Sequence, residues 1–489
     1  VILAIDQSTS ATKGLVYDLK GQLIDKTSLD HQQIYPRPGW VEHDAEEIWQ
    51  NSLKVLQTLA RKHQNLTCLS ITNQRETIVV FERGTGRPLH HALVWQDRRG
   101  DEICQELVGR GFEPLVTQKT GLKIDTYFSA SKLSWLIRNQ PDLAFKLSSG
   151  EALIGTIDSY LIYRLTNGTV HATDHTNASR MLLLDINTLQ WDEQLCKAFA
   201  VPMRALPQPR DSTATFGETN LDGVLSKAIP ICGVMGDSQA SLFAHRCFSP
   251  GMAKATLGTG CSVLLNLGET LRLSPGAAVS TVAWTHAGKA TYSFEGIINC
   301  AASTIAWLKR DLQLISDERE TEAIAQSIPD NAGVYLVPAF AGLGAPHWQA
   351  QARAAIVGMT TATKKAHIVR AALESIAYQI RDVLDAMQQG AGVALQSIHC
   401  DGGATRNKFL MQFIADITGL KIRVAEMPDC SSLGATLAGM VGMKLSSFDD
   451  LRSLSREQVI YHPMMTPGDV EKLHRKWHRA VKQVLAGLD

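Results

Sequence analysis

Apolar positions near the start of the chain fall into short runs divided by turn-forming residues. "VILAIDQ", "KGLVYD" and "LIDKTS" each alternate or cluster like strands, and "QSTSAT" and "LKGQ" separate them. This pattern predicts three consecutive strands joined by tight turns. The period then changes. Trp49, Leu53, Leu56 and Ala60 recur at helical spacing behind Asp44, a residue suited to an N-cap, and "CLSITNQ" returns to strand character. Strands in succession, then a helix, then another strand, predict a layered α/β domain. Further along, "AKATLGTGCSVLLNLG" (Ala253 to Gly268) repeats the strand, small-residue turn, strand pattern of the opening. That repeat predicts two related domains, 1–245 and 246–489. Between them "IPICGVM" reads as a buried strand running into "GDSQAS", where Asp237 or Ser238 fits the N-cap of the next helix. A carboxylate ending a core strand is costly unless something satisfies or uses it. Two strong helices follow. One is "AHIVRAALESIAYQIRDVLDAM", with Ile368, Ala372, Ile376 and Ile380 on one face. The other is "NKFLMQFIADITG", ending at Gly419. The C-terminal "VEKLHRKWHRAVKQVLAGL" reads as a basic amphipathic helix docked on the surface.

Composition narrows the class. A length of 489 residues exceeds one ordinary core. Lys+Arg and Asp+Glu both number 48, so no net charge calls for nucleic acid or another polyanion. The nine cysteines are odd in number and form no C-x-x-C pair, as expected of reduced thiols in a cytoplasmic protein. The histidines read as scattered, without metal-ligand spacing. The longest charge-free run, between Asp330 and Arg353, contains Pro338, His347 and Gln349, so no membrane span is expected. The first residues carry no basic leader pattern.

Candidate chemistry lies in the turns. Ser8, Thr9 and Ser10 bring hydroxyls and backbone N–H groups to one hairpin; Gly258-Thr259-Gly260 forms the other. Such turns make anion-binding nests. Asp6 precedes the first and Asp237 the second, and a nucleoside triphosphate needs both nests and carboxylates for Mg²⁺. "CDGGATRN" adds Gly402 and Gly403 ahead of a helix, where a flat ligand can approach. No G-x-x-x-x-G-K-[ST] occurs, which argues against a P-loop enzyme. Arg75 and Glu76 in "TNQRET", Trp95 in "LVWQDRR" and Tyr127 in "DTYFSASK" supply the charges and aromatic faces that a small polyol requires.

These stretches, together with "HATDHTNASRMLLLDI", "GDSQASLFAHRCFSPGMAKATLGTGC", "VPAFAGLGAPHW" and "DGGATRNKFLMQF", occur in an order that resembles the FGGY carbohydrate kinases, on their glycerol-phosphorylating branch. The resemblance implies a two-domain actin/hexokinase (ribonuclease-H-like) α/β fold. Each domain would be a mixed sheet flanked by helices, with the active site in the cleft. It implies an ATP- and Mg²⁺-dependent kinase of glycerol or a close relative, with pentulose or tetritol kinases and a non-enzymatic actin-like ATPase as alternatives. Asp237 becomes the general base. Arg75, Glu76, Trp95, Tyr127, Asp237, Ser238 and Ser262 become substrate-binding. Ser10, Lys13, Thr259 and Gly260 would meet phosphates, and Ala302, Gly403 and Asn407 the adenosine. Asp6 and Asp237 would hold Mg²⁺. A homodimer or homotetramer is implied. Departures qualify the picture. Ser238 and Ser262 stand where the family carries Gln and Phe, so a longer or more polar substrate is expected, a four- or five-carbon polyol or sugar. Lys13 replaces an Arg. Ser226-Lys227-Ala228 replaces the Gly-Thr-Arg of the family's fructose-bisphosphate site, so that inhibition is not expected.

Overall fold

Both halves of the chain begin with an antiparallel hairpin that parallel strands then join on one side. The computed structural model describes residues 1–488 apart from 277, 426, 428, 455 and 456. In the first half, Ile2–Gln7 pairs antiparallel with Ala11–Tyr17, which pairs with Leu23–Asp30. Leu69–Asn73 adds parallel to the first strand, Ile229–Gly236 adds parallel to that, and Thr215–Thr219 closes the edge. In the second half, Met252–Leu257 and Cys261–Gly268 form the hairpin, Lys289–Ile298 and Val279–His286 extend it, and Ser397–Asp401 and Lys421–Val424 add parallel on the other side. Among the described residues the sheets have six and seven strands, with the same connectivity around their centres. The repeat that the sequence shows only as a pattern is therefore a repeat of topology.

Local chemistry agrees with these elements. The helix Ala45–Lys62 is capped by Asp44, whose side chain accepts from the Glu46 N–H, and it turns Ile48, Val55, Leu56 and Leu59 inward. Lys408–Thr418 ends at Gly419 in the left-handed conformation. The long helix Lys365–Ala391 buries Ala372, Ile376 and Ile380 against the second sheet. One helix does not stay with its half. Cys430–Gly442 packs on the first sheet, where a side chain at Gly439 would meet Cys232 O at 2.7 Å and one at Gly434 would collide with Ala240 O. Its apolar residues share a core with Ile2, Ala4 and Leu15. The first sheet is thus finished by residues far along the chain. The nine cysteines are reduced, and eight are buried.

Candidate active site

Parallel strands carry their chemistry at their carboxyl ends, and the two sheets bring these ends together. Asp6 lies near the end of Ile2–Gln7, Arg75 just past Leu69–Asn73, and Asp237 directly after Ile229–Gly236. Gly236, not Asp237 or Ser238, holds the N-cap position of the helix Asp237–Ala244, and no side chain caps it. Asp237 is the first helical residue. Its Oδ1 accepts from the Ser238 N–H at 2.6 Å and lies 3.3 Å from Arg75 Nε, with 42% of the side chain exposed. The carboxylate that reads as a cap in isolation instead faces solvent beside a guanidinium.

That guanidinium is fixed from behind. Arg75 donates through Nη2 to Glu295 Oε1 (2.8 Å) and through Nη1 to Glu295 Oε2 and Gln239 Oε1 (both 3.1 Å). Arg180 Nη1 stands 2.8 Å from Glu295 Oε2, and Arg180 Nε donates to Glu76 Oε1 at 2.7 Å. All four charged side chains are buried. Burial pushes the Glu295 carboxyl up, but Arg180 and Arg75 outweigh it and hold it at about 2. For Glu76 burial wins over Arg75 and Arg180, and its carboxyl rises. Glu76 also has φ 62, a left-handed conformation that is strained for a Glu and sits at the tight turn where Thr77 N bonds Arg75 O. Ser262 Oγ donates to Glu295 Oε1 at 3.3 Å and receives Lys254 Nζ at 3.5 Å, so its hydroxyl joins this network.

The aromatic pair meets as expected. Trp95 and Tyr127 pack edge to face with centroids 5.5 Å apart, and Trp95 Nε1 donates to Thr9 Oγ1 at 3.0 Å. Lys132, buried, donates to the carbonyls of Thr126, Tyr127 and Phe128 and so fixes the Tyr127 loop. Burial pulls its ammonium down to about 8.

On the nucleotide side, strand register sets Asp6 opposite Lys13. Lys13 Nζ lies 3.2 Å from Asp6 and 3.3 Å from Asp429, which also holds Lys26 at 2.6 Å. Burial raises the Asp6 carboxyl; Lys13 opposes this, and Asp237 and Asp429 add to it. Carboxylates that influence one another, as Asp6 and Asp237 do, suit a cation held through water. Ser10 is exposed at its turn, and Ser8 N bonds Ala11 O across it. In the second hairpin Gly258 N bonds Gly260 O, Thr259 is exposed, and Ala302 N returns to Gly258 O at 3.0 Å. A Cβ on Gly260 would sit 2.5 Å from Ile298 O, so only glycine fits. At "DGGATRN" the required glycine is Gly402, with φ +95 and only 2.4 Å of room to Leu257 O, while Gly403 has open space. Asn407 caps Lys408–Thr418 through Leu410 N and donates to Thr321 Oγ1 at 3.0 Å. The helix Asp237–Ala244 ties the two sheets together, because Ser241 Oγ donates to Asp401 Oδ2 at 2.8 Å.

Arg180, Glu295, Lys254 and Asp429 are charged neighbours of the candidate site that motif reading does not single out. Glu295 and Lys254 did leave a signal, each a charge set among apolar and small residues within a strand, which must be paired to be buried.

Comparison with known proteins fits this geometry. The profile for the FGGY family of carbohydrate kinases, N-terminal domain, matches residues 1–244, and that for the C-terminal domain matches residues 253–443. The chain is 43% identical over 489 residues to glycerol kinase of Desulfitobacterium hafniense, covering 99% of each. It is 45% identical over 492 residues to glycerol kinase 1 of Thermotoga maritima, again covering 99% of each. Its fold superposes on the crystal structure of Plasmodium falciparum glycerol kinase with ADP at a TM-score of 0.94 and 40% identity, covering 99% of this chain and 98% of that one. A gluconate kinase from Lactobacillus acidophilus, 21% identical, shares the fold at a TM-score of 0.89. The chain belongs to the FGGY family of carbohydrate kinases.

Proposed function

We propose that this chain transfers the terminal phosphoryl group of ATP to a hydroxyl of glycerol or a close relative. The observation that carries the reading is the half-exposed Asp237 carboxylate, 3.3 Å from an Arg75 that Glu295 braces, in a chain this similar to proteins named glycerol kinase. Arg75 and Glu76 hydrogen-bond substrate hydroxyls, the Trp95–Tyr127 pair covers its carbons, and Asp237 accepts the proton of the attacking hydroxyl. A positioned base contributes about 10²–10⁴-fold to such a step. Ser10, Lys13, Thr259 and Gly260 receive the phosphates, and Ala302, Gly403 and Asn407 flank the adenosine. Asp6 and Asp237 hold Mg²⁺, which when bound neutralises charge on the phosphoryl oxygens. Residues 1–245 serve mainly the polyol and 246–489 mainly ATP. We further propose a cytoplasmic homo-oligomer; among the described residues no helix is long and apolar enough to cross a membrane.

A second reading has its own observation. Ser238 and Ser262 present small polar side chains beside the site, and Ser262 Oγ reaches Glu295. That supports room and hydrogen bonds for a four- or five-carbon polyol. Coupled ADP release over glycerol, erythritol, threitol, xylitol and pentuloses separates the two. A kcat/KM maximum at glycerol supports the first reading, and a maximum at a longer polyol supports the second. ATP turnover that no polyol stimulates overturns both in favour of an actin-like ATPase.

A further inference from the structure

The C-terminal helix Pro467–Leu485 does more than dock. His474 and His478 stand four residues apart on one face of it, a spacing that reading the histidines as scattered overlooks. Both imidazoles converge on one oxygen of Asp382, which projects from the facing helix Lys365–Ala391. His474 Nε2 lies 2.6 Å and His478 Nε2 2.8 Å from Asp382 Oδ1. The other oxygen, Oδ2, is anchored by Trp477 Nε1 at 2.7 Å. This leaves Oδ1 turned toward the histidines.

We propose that Asp382, His474 and His478 form a binding site for a divalent transition-metal ion of the Zn²⁺ class, clipping the C-terminal helix to Lys365–Ala391. The three donor atoms all lie within 4.8 Å of one another, close enough to converge on one ion. Two imidazole nitrogens with one carboxylate oxygen form a ligand set typical of zinc, whereas Mg²⁺ and Ca²⁺ take oxygen donors. Trp477 supplies the outer hydrogen bond that orients a ligating carboxylate. The three donors leave the remaining coordination positions to water. Asp382 and His474 are buried, but 49% of the His478 side chain is exposed, which gives the ion a way in. On binding, a neutral imidazole takes the tautomer with its proton on Nδ1 and an imidazolium loses its Nε2 proton to solvent, so that in either case the Nε2 lone pair takes the metal in place of the N–H···O contact. The site is distinct in sequence and position from the proposed kinase residues, so it goes beyond the proposed function.

The test is titration of the full-length, chelator-treated chain with ZnCl₂ by calorimetry, and with Co²⁺ followed by its visible absorption. The expected result is one ion per chain, a nitrogen-ligated Co²⁺ spectrum, and a Zn²⁺-dependent rise in the unfolding midpoint. In His478→Ala, whose half-exposed side chain is not needed for packing, affinity should fall by more than the roughly 10–100-fold typical of losing an outer-shell partner. His474→Ala should do the same. Binding weaker than about 100 μM, or affinity unchanged in His478→Ala, would overturn the proposal, the latter by placing the ion elsewhere. Such a place exists at the His245, Asp401 and Cys430 cluster.

Discussion

Glu295→Gln isolates what the buried charge network contributes. Glu295 is fully buried, and its two oxygens face Arg75 on one side and Arg180 on the other. A glutamine keeps the shape but turns one acceptor into a donor that must confront a guanidinium. It also leaves two buried arginines offset only in part, by Glu76 and by the half-exposed Asp237. The size of the loss can be estimated two ways. The carboxyl is held at about 2 instead of the ordinary 4.5, which at about 1.4 kcal/mol per tenfold is roughly 3 kcal/mol. Breaking one partner of a buried ion pair costs about 3–5 kcal/mol. The two agree. At ~2–4 °C per kcal/mol, a loss of about 3–5 kcal/mol should lower the unfolding midpoint by roughly 6–20 °C. The pH dependence gives a second readout. Because the folded carboxyl lies below its ordinary value, its contribution is complete above pH 4.5 and fades as pH falls toward 2. The gap between wild type and variant should therefore narrow on acidification over that window. Because Arg75 also positions Asp237, kcat/KM for the polyol should fall on the order of 10–100-fold. Calorimetric and denaturant unfolding together with steady-state kinetics measure all three. A midpoint within about 1 °C of wild type at pH 7 with unchanged kcat/KM would refute the bracing role.

Other consequences are equally direct. Gly402→Ala forces a Cβ to 2.4 Å from Leu257 O at φ +95, so stability should fall by at least ~1–3 kcal/mol and the KM for ATP should rise; an unaltered variant in unfolding and kinetics would contradict this. Burial, reinforced by Asp174, pushes the Asp158 carboxyl up to about 7, so its stabilising contribution is full below the ordinary 3.8 and is lost as pH rises through 7. Asp158→Asn should flatten the stability profile between about pH 4 and 7, and a slope equal to wild type in denaturant melts would count against it. With Ser226-Lys227-Ala228 in place of Gly-Thr-Arg, fructose bisphosphate should leave the initial rate unchanged, and strong inhibition would be the contrary result.

Much of the fold was legible because its signals are local. Alternation and turn residues mark the opening meander, Asp44 and Gly419 mark helix ends, and the small-residue turn at Gly258–Gly260 marks the second hairpin. The candidate site was legible where residues cluster in motifs, as at Arg75 and Glu76, whose side chains meet. It was not where partners are distant in sequence. Arg75 meets Glu295 across 220 residues, and no period or propensity encodes that pairing. Asp382 and His474, 92 residues apart, show the same limit, since the histidine spacing gains meaning only when the facing helix brings a carboxylate. At "GDSQAS" local propensity favoured a side-chain cap. The geometry instead assigns the cap position to Gly236 and frees Asp237, because the strand end already fixes the helix start: Gly236 N donates to Thr176 Oγ1 at 2.8 Å. Likewise, in "DGGATRN" the glycine that sterics demand is Gly402; its neighbour's open space shows only in three dimensions.

The central claim is that Asp237 accepts the substrate proton, and Asp237→Asn tests it most directly. An asparagine oxygen can keep the contacts to Ser238 N and Arg75 Nε, so the fold and ATP binding should be preserved. Measured as polyol-stimulated ADP release at saturating substrates, kcat should fall by about 10²–10⁴-fold while ATP still binds. A kcat near that of wild type would contradict the account.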